Sequence, residues 1–321
     1  MIKIKQRNYA IDLIKFIAVL FITNSHFIPL YEDINKSFAT LGVHGNALFF
    51  FASGYTLTLG KSMSLQFKDW YKKRIQRIWP TFIIWAIFSN LIFGNEITWE
   101  NILLAKGYWF IQCIMISYIF LYYIQRYQKS YISTYLITSI LFTALCLVIM
   151  DKAQGSIYHS SLHYICYFPS MMLGLYIGNH NKPRCKYGLI KIILYFLLYF
   201  IIMKIGKGKT DILYYTQIIA IIPLNLFIYY LYVWLSSLNI NKFTETNKLW
   251  KPIYWISSMS LEIYVVQFSV ITNRFNNLFP LSILIVFILI SFTAYCLRIF
   301  TNIFNQTFSS DSYSLRSMLK I

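Results

Sequence analysis

Charge is scarce in this chain. Of 321 residues only 12% are charged, and just 11 are Asp or Glu. A soluble protein carries about 25% charged residues, so the shortage excludes an ordinary water-facing surface. Glycine (12) and proline (7) are also few. No polar linker or shift in composition divides the chain, and residues 1–321 read as one domain. The five cysteines, Cys113, Cys146, Cys166, Cys185 and Cys296, are scattered and mostly set in apolar runs. Their spacing fits neither a zinc site nor a disulfide framework, so they read as packing residues and no metal is expected. No Gly-rich phosphate loop, serine nucleophile elbow or internal repeat is present.

Apolar and aromatic residues take up the rest. The chain is 58% hydrophobic, with 27 Phe, 27 Tyr and 8 Trp. That is too much aromatic surface for one soluble core, and it fits a lipid-facing surface with aromatic belts at both interfaces. A membrane-spanning helix needs about 20 mostly apolar residues. Ten stretches qualify, at roughly 9–29, 41–60, 78–94, 108–125, 132–150, 163–179, 187–204, 212–235, 253–272 and 279–299. The expected fold is therefore all-α, a polytopic membrane protein of about ten transmembrane helices. The N-terminus, with Lys3, Lys5 and Arg7 before an apolar run, looks like a signal peptide at first sight. Its run is too long and no cleavage site follows, so it reads as a retained first span.

The net charge of +18 would suggest nucleic-acid binding in a soluble protein. Its distribution argues otherwise. With the N-terminus inside, inward segments hold 21 of the 29 Lys and Arg residues and outward segments hold 7. This asymmetry predicts both termini in the cytoplasm. The loop bearing Lys204, Lys207 and Lys209 runs against it. The segment Gln66–Arg77 mixes apolar residues with cations, as an interfacial amphipathic helix would.

Ionisable groups within spans are costly and mark candidate functional positions. The first span holds Asp12, Lys15 and His26. Asp12 and Lys15, three apart, share a helix face and can pair, either as a snorkelling pair or in a site. His26 lies about 16 Å beyond Lys15 along a helix, near the outer end, in the polar cluster Thr23, Asn24, Ser25, His26. It reads as a satisfied interfacial histidine or as a general base. Asn46 opens the second span, which later carries Ala52, Ser53, Gly54 and Tyr55. Arg74 and Arg77 share a helical face before Pro80, suited to lipid headgroups or to a cofactor's phosphates. Trp109 and Gln112 open the fourth span. Glu262 falls near mid-membrane and needs a partner or a proton, and Lys15 is the expected partner. Gln267 follows toward the outer end.

These segments, in this order and spacing, resemble the membrane-bound acyltransferase family 3 proteins, which modify bacterial cell-envelope glycans. The resemblance is carried by Asp12 through Ala18, Ile22 through Phe27 with His26, Leu48 through Tyr55, Trp70 through Pro80 with Arg74 and Arg77, Trp109 with Phe110, and Ser260 through Gln267. It covers essentially the whole chain. It implies transfer of an acyl group, most often acetyl, from acyl-coenzyme A to a sugar hydroxyl at the bacterial cytoplasmic membrane. The family's essential histidine maps onto His26. Its arginine eleven residues earlier is Lys15 here, which keeps the charge but loses bidentate pairing. A histidine found in many relatives is Gln267. The resemblance then implies His26, Lys15 and Glu262 as the catalytic group, and Arg74, Arg77, Ser53 and Tyr55 on the donor. From their depth, at or toward the outer ends of their spans, Asn46, Gln112 and Gln267 are expected to bind the sugar or the oxyanion, with Trp109 on the acceptor. No permanently bound cofactor and no nucleic acid are expected; the partners are the bilayer, the glycan and acyl-coenzyme A. Two competing readings are a polysaccharide flippase and an inactive membrane sensor of the same fold.

Overall fold

The computed structural model describes residues 8–59, 64–94, 98, 102, 105, 107–149, 156–159, 163–180, 186–209, 212–238, 250–308 and 314–319. Cys185 and the basic start Lys3, Lys5 and Arg7 lie outside them. Among the described residues the chain is helical, without strands. The principal helices are α1 (Tyr9–His26), α2 (Gly42–Leu57), α3 (Phe67–Phe93), α4 (Trp109–Tyr127), α5 (Ile132–Ile149) and α6 (Phe168–Asn179). They continue as α7 (Gly188–Gly206), α8 (Ile221–Ser237), α9 (Trp250–Ser258), α10 (Ser260–Val270) and α11 (Leu281–Thr307). Cys113, Cys146, Cys166 and Cys296 are free thiols.

Among the described residues, six segments are long and apolar enough to cross a membrane: Tyr9–His26, Phe67–Phe93, Lys129–Ile149, Gly188–Gly206, Ile212–Ser237 and Leu281–Thr307. The chain is a multi-pass membrane protein. Its lipid-facing stripes are visible as exposed apolar side chains at helical spacing. Ile137, Leu141, Leu145 and Val148 line α5, and Ile190, Leu194, Leu197 and Ile201 line α7.

Two expectations about helix boundaries are corrected. The segment Gln66–Arg77 is not a separate interfacial helix. It is continuous with the following span in α3, whose 27 residues reach about 40 Å. Pro80 lies inside this helix. It deprives the Gln76 carbonyl of its helical donor, but Gln76 is exposed, so water can supply that bond at little cost. Gly94, at φ +69°, then stops the helix in the left-handed conformation. The second correction concerns the expected span 253–272. It is interrupted at Met259, which has φ −97° and ψ 20°, dividing α9 from α10. The Ser258 hydroxyl donates to the Trp255 carbonyl at 2.8 Å, and the Met259 N–H reaches the same carbonyl at 3.3 Å. Serine back-bonding of this kind competes with the helical ladder and bends it.

Packing sorts the chain into two compact units. One comprises Met1–Ile14, Asn46–Leu65 and Cys113–Lys248, the other Lys15–Gly45, Gln66–Gln112 and Leu249–Ile321. In the first, α7 packs on α8 and α5 on α6. There α2 meets α6 backbone to backbone: a Cβ at Gly54 would stand 1.9 Å from the Met171 carbonyl oxygen. The Ala52, Ser53, Gly54 run is therefore a helix-crossing point on its Gly54 face. In the second unit α3, α10 and α11 pack against one another.

Candidate functional site

The second unit gathers Lys15, His26, Arg74, Arg77, Trp109, Gln112, Glu262 and Gln267. In the sequence they belong to three expected spans, 9–29, 108–125 and 253–272, and to the basic segment Gln66–Arg77. The other three expected site residues belong to the first unit. There Tyr55 is buried, accepting from the Asn8 amide at 2.6 Å and from the Tyr232 hydroxyl at 3.1 Å. Asn46 is hydrogen-bonded to Tyr167, whose ring stacks on Phe50 at 5.4 Å. Ser53 is half-buried.

His26 is the last residue of α1. The C-terminal half of α1 is fixed against the start of α2 by a missing side chain: a Cβ at Gly45 would lie 2.7 Å from Ile22 Cγ1 and 3.0 Å from the Ala18 carbonyl oxygen. The half-buried His26 ring then meets Phe268 of α10 edge-to-face, with centroids 4.7 Å apart. Phe268 belongs to a wall of rings. It contacts Tyr108 at 5.6 Å and Tyr264 at 5.5 Å. Tyr108 in turn meets Phe82 at 4.9 Å, and Tyr264 meets Phe110 at 5.2 Å. Offset and edge-to-face pairs of this kind add about 0.5–1.5 kcal/mol each beyond their burial, so the wall is stiff.

Beyond His26 the loop to α2 is tied down by its own polar groups. The Asn24 amide donates to the Phe38 and Thr40 carbonyls at 2.8 and 3.1 Å, and its carbonyl accepts from the Tyr31 hydroxyl at 2.8 Å. Burial raises the Tyr31 pKa, which keeps that hydroxyl a donor. From the loop after α10, the Asn276 amide donates to the Pro29 carbonyl at 2.9 Å and to Asp33 Oδ2 at 3.1 Å. The polar cluster noticed in the sequence thus serves partly as loop architecture.

Glu262, in the first turn of α10, is 0% exposed. Its expected partner was Lys15. The structure gives it Arg298 of α11 instead, with Nη1 2.7 Å from Oε1. The approach is close but not directed along an N–H bond, and neither carboxylate oxygen has an aligned hydrogen-bond donor. Arg77 adds a weaker, longer-range attraction. Lys15 is half-buried in α1. Such a buried carboxylate depends on its cation, since removing one partner of a buried pair costs about 3–5 kcal/mol. In the sequence Arg298 had counted only as an inward charge at the end of the last span. Its pairing depends on how α10 and α11 pack, which spacing cannot show.

Gln267, one residue before Phe268, is 0% exposed, and neither atom of its amide has a hydrogen-bond partner. A buried unsatisfied amide costs about 1–3 kcal/mol, so the fold holds Gln267 at a cost. Trp109 and Gln112 are half-buried at the start of α4. Arg74 lies over the Trp70 ring at 5.0 Å, while Lys68, Lys72, Lys73 and Arg77 are exposed on α3. No cluster able to hold a metal ion occurs among the described residues.

The arrangement offers an imidazole beside an aromatic wall, a free buried amide on the adjoining helix, and a rigid cationic helix end. A family model described as an acyltransferase domain matches residues 8–304. Neither the curated proteins nor the solved structures give a match.

Proposed function

We propose, from the premise that the chain belongs to the acyltransferase family matched over residues 8–304, that it moves an acyl group from acyl-coenzyme A to a hydroxyl of a cell-surface polysaccharide or its lipid-linked precursor. Acetyl-coenzyme A is the favoured donor, which makes the reaction an O-acetylation. One observation carries the reading: the only histidine of the polar Thr23–His26 cluster stands against Phe268 of α10, the helix that also carries the buried, unpartnered Gln267 amide. His26 takes the proton of the acceptor hydroxyl as its oxygen attacks the thioester carbonyl. The carbon–sulfur bond breaks, and the coenzyme A thiolate leaves and is protonated. Gln267 donates to the oxyanion that forms on the carbonyl oxygen. The rings around Phe268, with Trp109, offer flat apolar faces suited to a sugar, and Gln112 a polar one.

The topology proposed is ten spans with both termini inside, in a bacterial cytoplasmic membrane, as the charge asymmetry favours. Arg74 and Arg77 then face the cytoplasm and hold the donor's phosphates. His26 faces the other way, toward the acceptor. Keeping the nucleotide at the cationic end avoids moving its charges through lipid, which would be very costly. Reconstitution in sealed vesicles of known orientation tests this. Acetyl-coenzyme A supplied on the Arg74 side should support transfer to glycan, with loss of activity in His26→Ala. Equal activity with donor on the His26 side would sink the sidedness. Full activity of His26→Ala would remove the base.

A further inference from the structure

Arg298 makes two contacts that straddle the interruption at Met259. Its Nη2 donates to the Ser258 carbonyl at 2.8 Å, on the inner side of the break. Its Nη1 stands 2.7 Å from the carboxylate of Glu262, on the outer side. In an unbroken helix the Ser258 carbonyl would accept from the Glu262 N–H. One guanidinium therefore touches both residues of that pair, the carbonyl of Ser258 and the side chain of Glu262. The Arg298 side chain is 24% exposed, while Glu262 is wholly buried.

We propose that Arg298 is a positioning residue for acyl transfer: its guanidinium clamps the break between α9 and α10 and so sets the place of Phe268 against His26. From Glu262 to Phe268 is about 9 Å of rigid helix, and Phe268 is 4.7 Å from the imidazole. Any rotation of α10 about the break is carried straight to that ring. A misplacement of about 1 Å at a reacting centre can cost about 10²-fold in rate. An arginine suits this task. One nitrogen of its planar fork donates to the Ser258 carbonyl while the other holds the carboxylate by charge, whereas an ammonium is a single rotating point charge. Lys15, on α1, was the cation expected for Glu262, but the guanidinium that meets it comes from α11. The clamp is braced on its far side, because α11 packs on both α10 and α3.

The inference rests on His26 being the base, and its test separates the two. The full chain is reconstituted with acetyl-coenzyme A as donor and isolated envelope glycan as acceptor, and thiol release is followed. Arg298→Lys should lower kcat at least tenfold while the KM for acetyl-coenzyme A stays within twofold. Should the single variant fold poorly, Arg298→Gln with Glu262→Gln removes both charges together. That pair should accumulate in the membrane as the wild type does, yet remain at least tenfold slow. An Arg298→Lys protein at full kcat, or one in which only KM rises, overturns the clamp. So does a rate loss that matches the fraction of unfolded protein. A His26→Ala protein that stays active sinks the reading of the site, and the clamp with it. A His26-dependent wild type with an unimpaired Arg298→Lys sinks the clamp alone.

Discussion

His26 and Phe268, 242 residues apart in sequence, meet edge-to-face with ring centroids 4.7 Å apart and planes at 69°. The contact fixes one side of the imidazole of the proposed base. Loss of a general base costs about 10²–10⁴-fold, so His26→Ala should lower kcat by at least about 10²-fold. Phe268→Ala should lower kcat roughly tenfold, because the base survives but loses its wall. Steady-state thiol release with purified protein checks both. Phe268→Ala at the wild-type kcat would show that the ring does not hold the base.

Arg74 and Arg77 are predicted to divide their work. Arg74 is half-buried and already stacked on Trp70; Arg77 is exposed. Hydrogen bonds to a charged group are worth about 1.5–3 kcal/mol, so Arg77→Ala should raise the KM for acetyl-coenzyme A roughly tenfold or more. Its kcat should hold, since uniform binding is what has been removed. Arg74→Ala should lower protein stability as well as donor affinity. A fall in kcat at unchanged KM in Arg77→Ala would place that residue elsewhere in the mechanism.

Gly54→Ala should destabilise the protein without touching the chemistry. The new Cβ would sit 1.9 Å from the Met171 carbonyl, which belongs to backbone and cannot swing aside. Overpacking of this sort costs about 1–3 kcal/mol. The Tm in detergent should fall clearly, while kcat per folded molecule is retained. An unchanged Tm would mean that α2 and α6 stand further apart than described.

Asn276→Leu should loosen the loop that follows His26. The substitution removes the bonds to the Pro29 carbonyl and to Asp33, worth about 1 kcal/mol together in so exposed a place. Amide hydrogen exchange across residues 28–38 should rise roughly fivefold. Unaltered exchange there would show that Asn24 and Tyr31 hold the loop by themselves.

Much of the architecture was legible in the sequence because lipid demands long apolar runs. All ten expected stretches overlap helices, though six segments meet the length and hydropathy of a span unaided. The residues of cost, His26, Glu262, Arg74 and Arg77, stood out for the same reason, and they fall within one packed unit. Partner choice was not legible. Depth alone favoured Lys15 for Glu262, but Arg298 wins because α11 packs beside α10. The break at Met259 left only a faint mark, the serines at 257, 258 and 260, since no glycine or proline adjoins it. Pro80 gave the opposite error: it signals a helix end, yet an exposed Gln76 carbonyl lets the helix run through.

The uninterrupted α3 has a consequence for the lipid around it. At about 40 Å it exceeds the roughly 30 Å of a bilayer's hydrocarbon. Its cationic turns are therefore the protruding end of a stiff lever whose tilt follows hydrophobic mismatch. Thinner or thicker host membranes would swing Arg74 and Arg77 relative to the aqueous boundary. With the donor held at Arg74 and Arg77 as proposed, its affinity would follow the acyl-chain length of the surrounding phospholipid.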